Sequence, residues 1–127
     1  MTYKFSSEKP IFLQLADLIK SDIVSGKIKP GEKLKSVRDY SALFKVNPNT
    51  VQKALAELED DGLIYTDRTN GKFVSNDSKL VEKSRIQEAT CKVREFFENM
   101  QNLGFDKRDV VKIIKDMEDN HEWTFRI

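Results

Sequence analysis

Four residues between positions 49 and 56 combine useful chemistry with helical spacing. Asn49, Gln52, Lys53 and Ala56 stand at i, i+3, i+4 and i+7, which is one face of an α-helix. An asparagine or glutamine amide makes paired hydrogen bonds to an adenine edge, a lysine holds a phosphate, and an alanine contacts a thymine methyl group. This face, called here the recognition face, therefore has the chemistry to bind double-stranded DNA.

The charge around the recognition face is unevenly distributed. Residues 27–53 contain seven basic and two acidic residues, a local net charge of +5, although the whole chain carries only +1. Four acidic residues then follow at the end of the same predicted helix, namely Glu57, Glu59, Asp60 and Asp61. A polyanion would meet the positive end of the helix first. The competing interpretation of both features is an ordinary solvated helix surface.

Local signals place the recognition face on the second helix of a helix-turn-helix. Ser36 is a cap that starts the first of the two helices, with Asp39 at the third position of a capping box. Asn47 is a strong N-cap and Pro48 fits the first position of the next helix, which ends at Asp61 and Gly62. The inward-facing residues of the two helices are Val37, Tyr40, Phe44, Val51, Leu55 and Leu58.

A scaffold helix and a hairpin are predicted on either side of this pair. Pro10 suits the first position of the scaffold helix, which ends at Ser25 and Gly26. Residues 32–35 form a short strand that can pair with a hairpin of strands 63–66 and 72–74, in which Asn70 and Gly71 take positive φ angles. The apolar stripe of the scaffold helix consists of Ile11, Phe12, Leu15, Ile19 and Ile23.

The pattern changes after Ser75 to two further helices. A seam of apolar residues at heptad spacing runs along the first of them, and a second apolar stripe follows from Asp106 onward. We expect these residues to pair two copies of the chain, with packing between the two helices of one chain as the competing explanation. The predicted dimerisation residues are Ile86, Val93, Phe96, Met100, Val110, Ile114 and Met117.

Catalytic and metal chemistry has little support in the sequence. Cys91 is the only cysteine and His121 the only histidine, so an intrachain disulfide and a site with several thiolates or imidazoles are excluded. We expect no enzyme activity, no metal and no cofactor, and a half-buried Cys91 thiol. With neither a signal peptide nor a long apolar run, a cytoplasmic protein without membrane contact is expected.

Aromatic residues at positions 97, 105 and 123 are more typical of core than of a ligand cavity. Whether a small-molecule effector binds is therefore unknown from the sequence. The last residues alternate, so that Trp123, Phe125 and Ile127 share one face if that segment is extended.

Several motifs between residues 10 and 74 match a known pattern together. They are PIFLQL at 10–15, KPGEKL at 29–34, SVRD at 36–39, NPNTVQKAL at 47–55, ELE at 57–59, GLI at 62–64, and Gly71, Phe73 and Val74. This stretch resembles the GntR family of bacterial winged helix-turn-helix transcription regulators, and in particular its YtrA-like branch. Lys35 and Thr69 depart from the pattern, since the family often has proline and glycine at these positions.

The resemblance implies a mainly α fold with a small β-hairpin. It implies an N-terminal winged helix-turn-helix domain over residues 1–76 and a short helical dimerisation domain over residues 77–127. The expected function is that of a sequence-specific repressor that binds a pseudo-palindromic operator as a homodimer. The alternative is a winged-helix module that binds a protein and not DNA.

The resemblance also implies a set of DNA-binding residues on the two helices and on the hairpin, or wing. Arg38 corresponds to the family's usual DNA-contacting arginine. The full predicted set is Lys35, Ser36, Arg38, Asn47, Asn49, Thr50, Gln52, Lys53, Arg68, Asn70, Gly71 and Lys72.

Overall fold

The computed structural model describes residues 4–119, which form five helices and one antiparallel two-stranded hairpin. The elements are α1 (Ile11–Val24), α2 (Val37–Phe44), α3 (Pro48–Asp60), β1 (Ile64–Asp67), β2 (Gly71–Val74), α4 (Ser78–Asn102) and α5 (Lys107–Asp119). The predicted fold class, mainly α with a small hairpin, is confirmed. The predicted alternating segment with Trp123, Phe125 and Ile127 lies outside the described residues.

The chain divides into two compact units, Met1–Ile86 and Gln87–Ile127. The first turns of α4 belong to the first unit, where Val81 packs against the hydrophobic core. The division of the chain into domains 1–76 and 77–127 stays a prediction.

The core of the first unit forms between α1 and α3 and is closed by the hairpin. Leu15, Ile19 and Ile23 of α1 are buried, as the apolar stripe predicts, but Ile11 is 44% exposed because it occupies the first position of the helix. Helix α1 begins at Ile11, one residue later than predicted, so that Pro10 is its N-cap and not its first residue. The other large core residues are Leu34, Tyr40, Val51, Leu55, Leu58, Leu63, Ile64 and Val74.

Side-chain caps begin both helices of the helix-turn-helix, as predicted. The Ser36 hydroxyl accepts a hydrogen bond of 3.0 Å from the Asp39 amide, and Asn47 Oδ1 accepts one of 2.8 Å from the Asn49 amide. Each bond satisfies an amide that has no partner inside its helix. Between the helices, Lys45 adopts a left-handed conformation with φ of 56°, which ends α2 and turns the chain toward α3.

The hairpin is joined by a third segment along β2. Its strands pair in the register from Ile64 opposite Val74 to Asp67 opposite Gly71. The predicted strand over 32–35 is reduced to a single bridge between Lys33 and Phe73, extended by backbone hydrogen bonds from the Leu34 amide to the Lys72 carbonyl and from the Val74 amide to the Glu32 carbonyl.

The conformation of the wing tip differs in part from the prediction. Gly71 has a φ of 108°, as predicted, but Lys45 is the only non-glycine residue with positive φ among residues 4–119, so Asn70 does not share this conformation. Arg68, Thr69 and Asn70 therefore form a three-residue turn that leads into Gly71.

The second unit contains the end of α4 and the whole of α5. Gly104, with φ of 92°, ends α4 where predicted, and the Phe105 amide donates to the Met100 carbonyl at 3.0 Å. Asp106 and Asp109 each accept a hydrogen bond of 3.0 Å from the other's amide, which fixes the start of α5.

Candidate nucleic-acid interface

The recognition face of α3 lies on the surface, opposite the core. Asn49, Gln52, Lys53 and Ala56 are all exposed, whereas the other side of the same helix is buried. This separation follows from the helical period, since residues three or four apart share a face. The predicted face is thus available to a partner along its whole length.

The start of α2 presents three further predicted residues. Lys35, Ser36 and Arg38 are exposed, and the Arg38 guanidinium makes no hydrogen bond or ion pair with any side chain or backbone group between residues 4 and 119. Tyr40 anchors α2 because its side chain is buried in the hydrophobic core. Burial raises the pKa of Tyr40, and the nearby Lys35 backbone partly opposes that shift.

Capping leaves Ser36 and Asn47 able to donate hydrogen bonds. The caps use the oxygen of each side chain as an acceptor, so the hydroxyl proton of Ser36 and the amide hydrogens of Asn47 remain for a second partner. A phosphate oxygen accepts such bonds, and helix N-termini attract anions. Both residues can therefore cap a helix and bind a phosphate at the same time.

Lys53 leans back toward α1. Its Nζ atom lies 5.8 Å from the centre of the Phe12 ring, within the range of a cation–π interaction. In the unbound protein the ammonium group therefore lies near the Phe12 ring, at the edge of the recognition face. The sequence does not predict this contact because the two residues are 41 positions apart in the chain.

Lys72 is held by the body of the domain. Its Nζ atom donates to Glu59 Oε1 at 2.9 Å and to Thr66 Oγ1 at 2.7 Å, and the Thr66 hydroxyl donates to both carboxylate oxygens of Glu59 at 3.1 Å. The hydrogen bond from Lys72 is the main cause that holds the pKa of Glu59 below its usual value. This closed ring of three side chains ties β2 to the C-terminal end of α3.

The wing tip is organised around Asp67. Its Oδ1 atom accepts hydrogen bonds of 3.0 Å from the amide and the hydroxyl of Thr69, and its Oδ2 atom accepts one of 3.2 Å from Asn70 Nδ2. These bonds, the Thr69 amide first, hold the pKa of Asp67 below its usual value. Thr69, where the family often has glycine, thus stiffens the turn. Arg68 projects from it with an exposed side chain.

The predicted dimerisation residues are mostly exposed in the single chain. Exposed fractions are 56% for Ile86, 64% for Val93 and 45% for Phe96, whereas Val110 is buried at 7%. Ile114 is exposed, and Met100 and Met117 are half-buried. Helices α4 and α5 share few contacts. Packing within one chain therefore accounts for the burial of Val110 but leaves Ile86, Val93 and Phe96 exposed.

The remaining predictions on Cys91 and on the aromatic residues have different outcomes. Cys91 is exposed, so the prediction of a half-buried thiol is wrong. Helix α4 shares few contacts with the other described elements, so this thiol is left uncovered in the single chain. Phe97 is half-buried and Phe105 exposed, and position 123 lies outside the described residues.

Between residues 4 and 119, no three His, Cys, Asp or Glu side chains come close enough together to hold a metal ion. None of the helices in this range is long and apolar enough to cross a membrane.

Comparison with known proteins finds relatives over most of this chain. Residues 12–74 match the model of the gntR family of bacterial regulatory proteins. The HTH-type transcriptional regulator YhcF of Bacillus subtilis is 36% identical over 115 residues, which cover 91% of this chain and 95% of YhcF. The HTH-type transcriptional repressor YtrA of the same organism is 44% identical over 78 residues, 60% of each chain.

Solved structures give the same result. A GntR family transcriptional regulator from Listeria monocytogenes superposes with a TM-score of 0.80 at 36% identity, over 88% of this chain and 98% of that one. The DNA-binding domain of AraR, solved in complex with the operator ORX1, superposes with a TM-score of 0.54 at 28% identity, over 59% of this chain and 95% of that domain.

These matches cover both the helix-turn-helix with its wing and, in YhcF and the Listeria protein, the helices that follow. The family consists of transcription regulators, which are not enzymes. The chain belongs to the gntR family of bacterial regulatory proteins, and it is a DNA-binding transcription regulator with a winged helix-turn-helix.

Proposed function

We propose that the protein is a homodimeric repressor that binds a pseudo-palindromic operator in the cytoplasm. The observation that carries this proposal is the set of exposed donors at the start of α2 and α3, chiefly Arg38, Asn49 and Gln52, within a region of local net charge +5. Within residues 4–119, none of these three side chains forms an ion pair or a hydrogen bond with another residue. The name of YtrA, a repressor, supports repression rather than activation.

The proposed assignment divides the DNA-binding residues by the group they contact. Asn49 and Gln52 bind base edges in the major groove, because their amides provide a donor and an acceptor side by side. Thr50 and Lys53 bind phosphates. Lys35, Ser36, Arg38 and Asn47 bind the DNA backbone around the two helix starts, where oriented amides favour an anion.

The wing extends this contact on the other side of the recognition face. Arg68 lies in the turn with no intrachain partner among residues 4–119, and Gly71 has no side chain to keep the backbone away from DNA. Asn70 can donate only one of its two amide hydrogens, because the other is given to Asp67. We assign Arg68 to the minor groove or the neighbouring phosphates.

The exposed apolar residues of α4 support the dimer. Monomeric proteins rarely expose a continuous apolar strip, and Ile86, Val93 and Phe96 recur along one side of the helix. A second copy of the chain offers the same strip and covers it. Met100, Ile114 and Met117 extend the proposed interface, Val110 supports it from inside the single chain, and residues 77–127 are then the dimerisation domain.

The test of the DNA face is Arg38→Ala on a duplex selected by the protein from a random DNA pool. We expect affinity to fall at least tenfold, because a hydrogen bond between charged groups is worth about 1.5 to 3 kcal/mol and about 1.4 kcal/mol corresponds to a factor of ten. Arg85→Ala is the control, since Arg85 is exposed on α4 and its guanidinium binds Glu82 through two hydrogen bonds of 2.9 Å. Equal affinities of wild type and Arg38→Ala would refute the proposed face.

Salt dependence separates DNA binding from binding of a protein by the same face. A dimer that contacts six or more phosphates weakens about 10³-fold between 50 and 200 mM salt, whereas a largely apolar protein contact does not. Fluorescence anisotropy of a labelled operator at four salt concentrations gives the slope. A flat profile would contradict the proposed function.

A further inference from the structure

Two lysines flank strand β2 on opposite sides of the sheet. Lys33 pairs with Phe73 in an antiparallel bridge, so its side chain shares a face with Phe73 and, two residues before it, Gly71. Lys72 lies between them and points to the other face, toward α3. The two ammonium groups therefore have different surroundings although they belong to neighbouring positions of the sheet.

The charge of Lys72 is already matched. Its Nζ atom lies 2.9 Å from Glu59 Oε1, and its side chain is 29% exposed. Two of its three hydrogens go to Glu59 and Thr66. To reach a phosphate, Lys72 would have to leave a carboxylate whose charged form it stabilises, and Glu59 would then repel the same DNA.

Lys33 lies across the wing next to its turn. A Cβ atom placed on Gly71 would lie 3.1 Å from Lys33 Cε and 3.9 Å from Nζ, so the lysine occupies the space that the glycine leaves open. Lys33 is exposed, and no acidic side chain between residues 4 and 119 lies within 4.0 Å of its Nζ atom. Its charge is available at the edge of the wing.

We propose that Lys33, and not Lys72, is the lysine that binds a DNA phosphate beside the wing. Lys72 is a positioning residue that holds the wing against α3 through Glu59 and Thr66. This proposal replaces the sequence-based prediction for Lys72, and it rests on the proposed function because it concerns the same DNA face.

The experiment measures operator affinity between 50 and 200 mM salt for wild type, Lys33→Met and Lys72→Met. Methionine keeps the length of the side chain and removes its charge. Loss of one phosphate contact lowers the slope of log affinity against log salt by about 0.9 per half-site, or about 3.5-fold less weakening over this range. We expect that reduction for Lys33→Met and the wild-type slope for Lys72→Met.

A charge exchange tests the positioning role directly. In the double variant Glu59→Lys with Lys72→Glu, the ion pair is re-formed with opposite polarity. If Lys72 acts through Glu59, the exchange variant keeps the wild-type slope and binds the operator within a few fold of the wild-type affinity, even where Lys72→Met alone is poorly folded. If Lys72 binds phosphate, the new carboxylate at position 72 lowers affinity further than Lys72→Met does.

Three results would have distinct meanings. A wild-type slope for Lys33→Met, or a reduced slope for Lys72→Met with a folded domain, would overturn this inference while the proposed function stands. Absence of salt-dependent operator binding by the wild-type protein would instead refute the proposed function. Circular dichroism of each variant establishes that the helices are intact.

Discussion

For the side chains of the DNA-binding unit, the sequence predicts local hydrogen bonds better than contacts with other elements. Ser36 and Asn47 cap helices through bonds to residues two or three positions away, and such local chemistry is predictable. Lys53 and Lys72 bind residues on other elements, Phe12 and Glu59. Those contacts depend on how the elements pack, so the sequence identified the cations but not their partners.

Glu59 provides a test by pH. Its pKa is lowered in the folded protein, chiefly by the hydrogen bond from Lys72, so its contribution to stability is present above the pKa of the unfolded chain and is lost as pH falls through the folded pKa. We expect Glu59→Gln to lower the free energy of unfolding at pH 7 by less than about 1 kcal/mol, since the pair is partly exposed. Urea denaturation measures this difference.

The same comparison at low pH provides the check on mechanism. At a pH below its lowered pKa, where Glu59 is protonated in the folded protein as well, wild type and Glu59→Gln should have equal stability. Glu57→Gln, an exposed acid on the same helix, should change stability little at either pH. A difference for Glu59→Gln that persisted at low pH would show that the lysine pair is not its source.

Two glycines of positive φ permit a matched comparison. Gly71→Ala and Gly26→Ala both place a side chain where φ exceeds 80°, and each should cost about 1 kcal/mol or more of stability. Only Gly71 has a lysine in the space that the new methyl group needs, whereas nothing lies within 4 Å at Gly26. We therefore expect only Gly71→Ala to lower operator affinity beyond its effect on stability, as measured by anisotropy and thermal unfolding.

At the scale of elements, the helix-turn-helix and the wing follow from signals within a few residues. The Asn47 and Pro48 pair fixes the start of α3, and Gly71 fixes the entry to β2. The strand predicted over 32–35 is observed as one bridge at Lys33, flanked by single hydrogen bonds from Leu34 to Lys72 and from Val74 to Glu32. Pairing register is a property of the assembled sheet and was not readable from this short segment.

The N-cap of α3 gives the prediction at this scale. Asn47→Ala removes the acceptor for the Asn49 amide and should lower the free energy of unfolding by about 1 kcal/mol. Asn47→Ser keeps an acceptor and should retain most of that stability. Chemical denaturation of both variants measures the difference. Equal stability of the alanine and serine variants would show that the observed hydrogen bond contributes nothing to the fold.

At the scale of the whole molecule, the apolar seam of α4 decides between a monomer and a dimer. The heptad spacing of Ile86, Val93 and Met100 was evident in the sequence, but spacing alone does not distinguish pairing within a chain from pairing between chains. The exposure of Val93 and Phe96 in the single chain favours the second. The sequence identifies these residues, and their exposure in the single chain supports the proposed pairing between two chains.

Val93→Glu tests the dimer without disturbing the single chain, because Val93 is 64% exposed there. A charge in the centre of an apolar interface should make the protein monomeric at micromolar concentration, since an unpaired buried charge costs several kcal/mol. Cys91→Glu is the control. It lies two positions away, roughly on the opposite side of the helix, and should remain dimeric in sedimentation velocity. A dimeric Val93→Glu protein would exclude the proposed interface.

The exposed thiol of Cys91 has a practical consequence for the study of this regulator. Because it is the only cysteine of the chain, a maleimide dye or a nitroxide spin label attaches at one defined position without further mutagenesis. A dimer of the proposed kind then carries two identical probes, one on each α4. Energy transfer or pulsed electron resonance between them would report the separation of the two helices, and would show directly whether that separation changes when an operator is added.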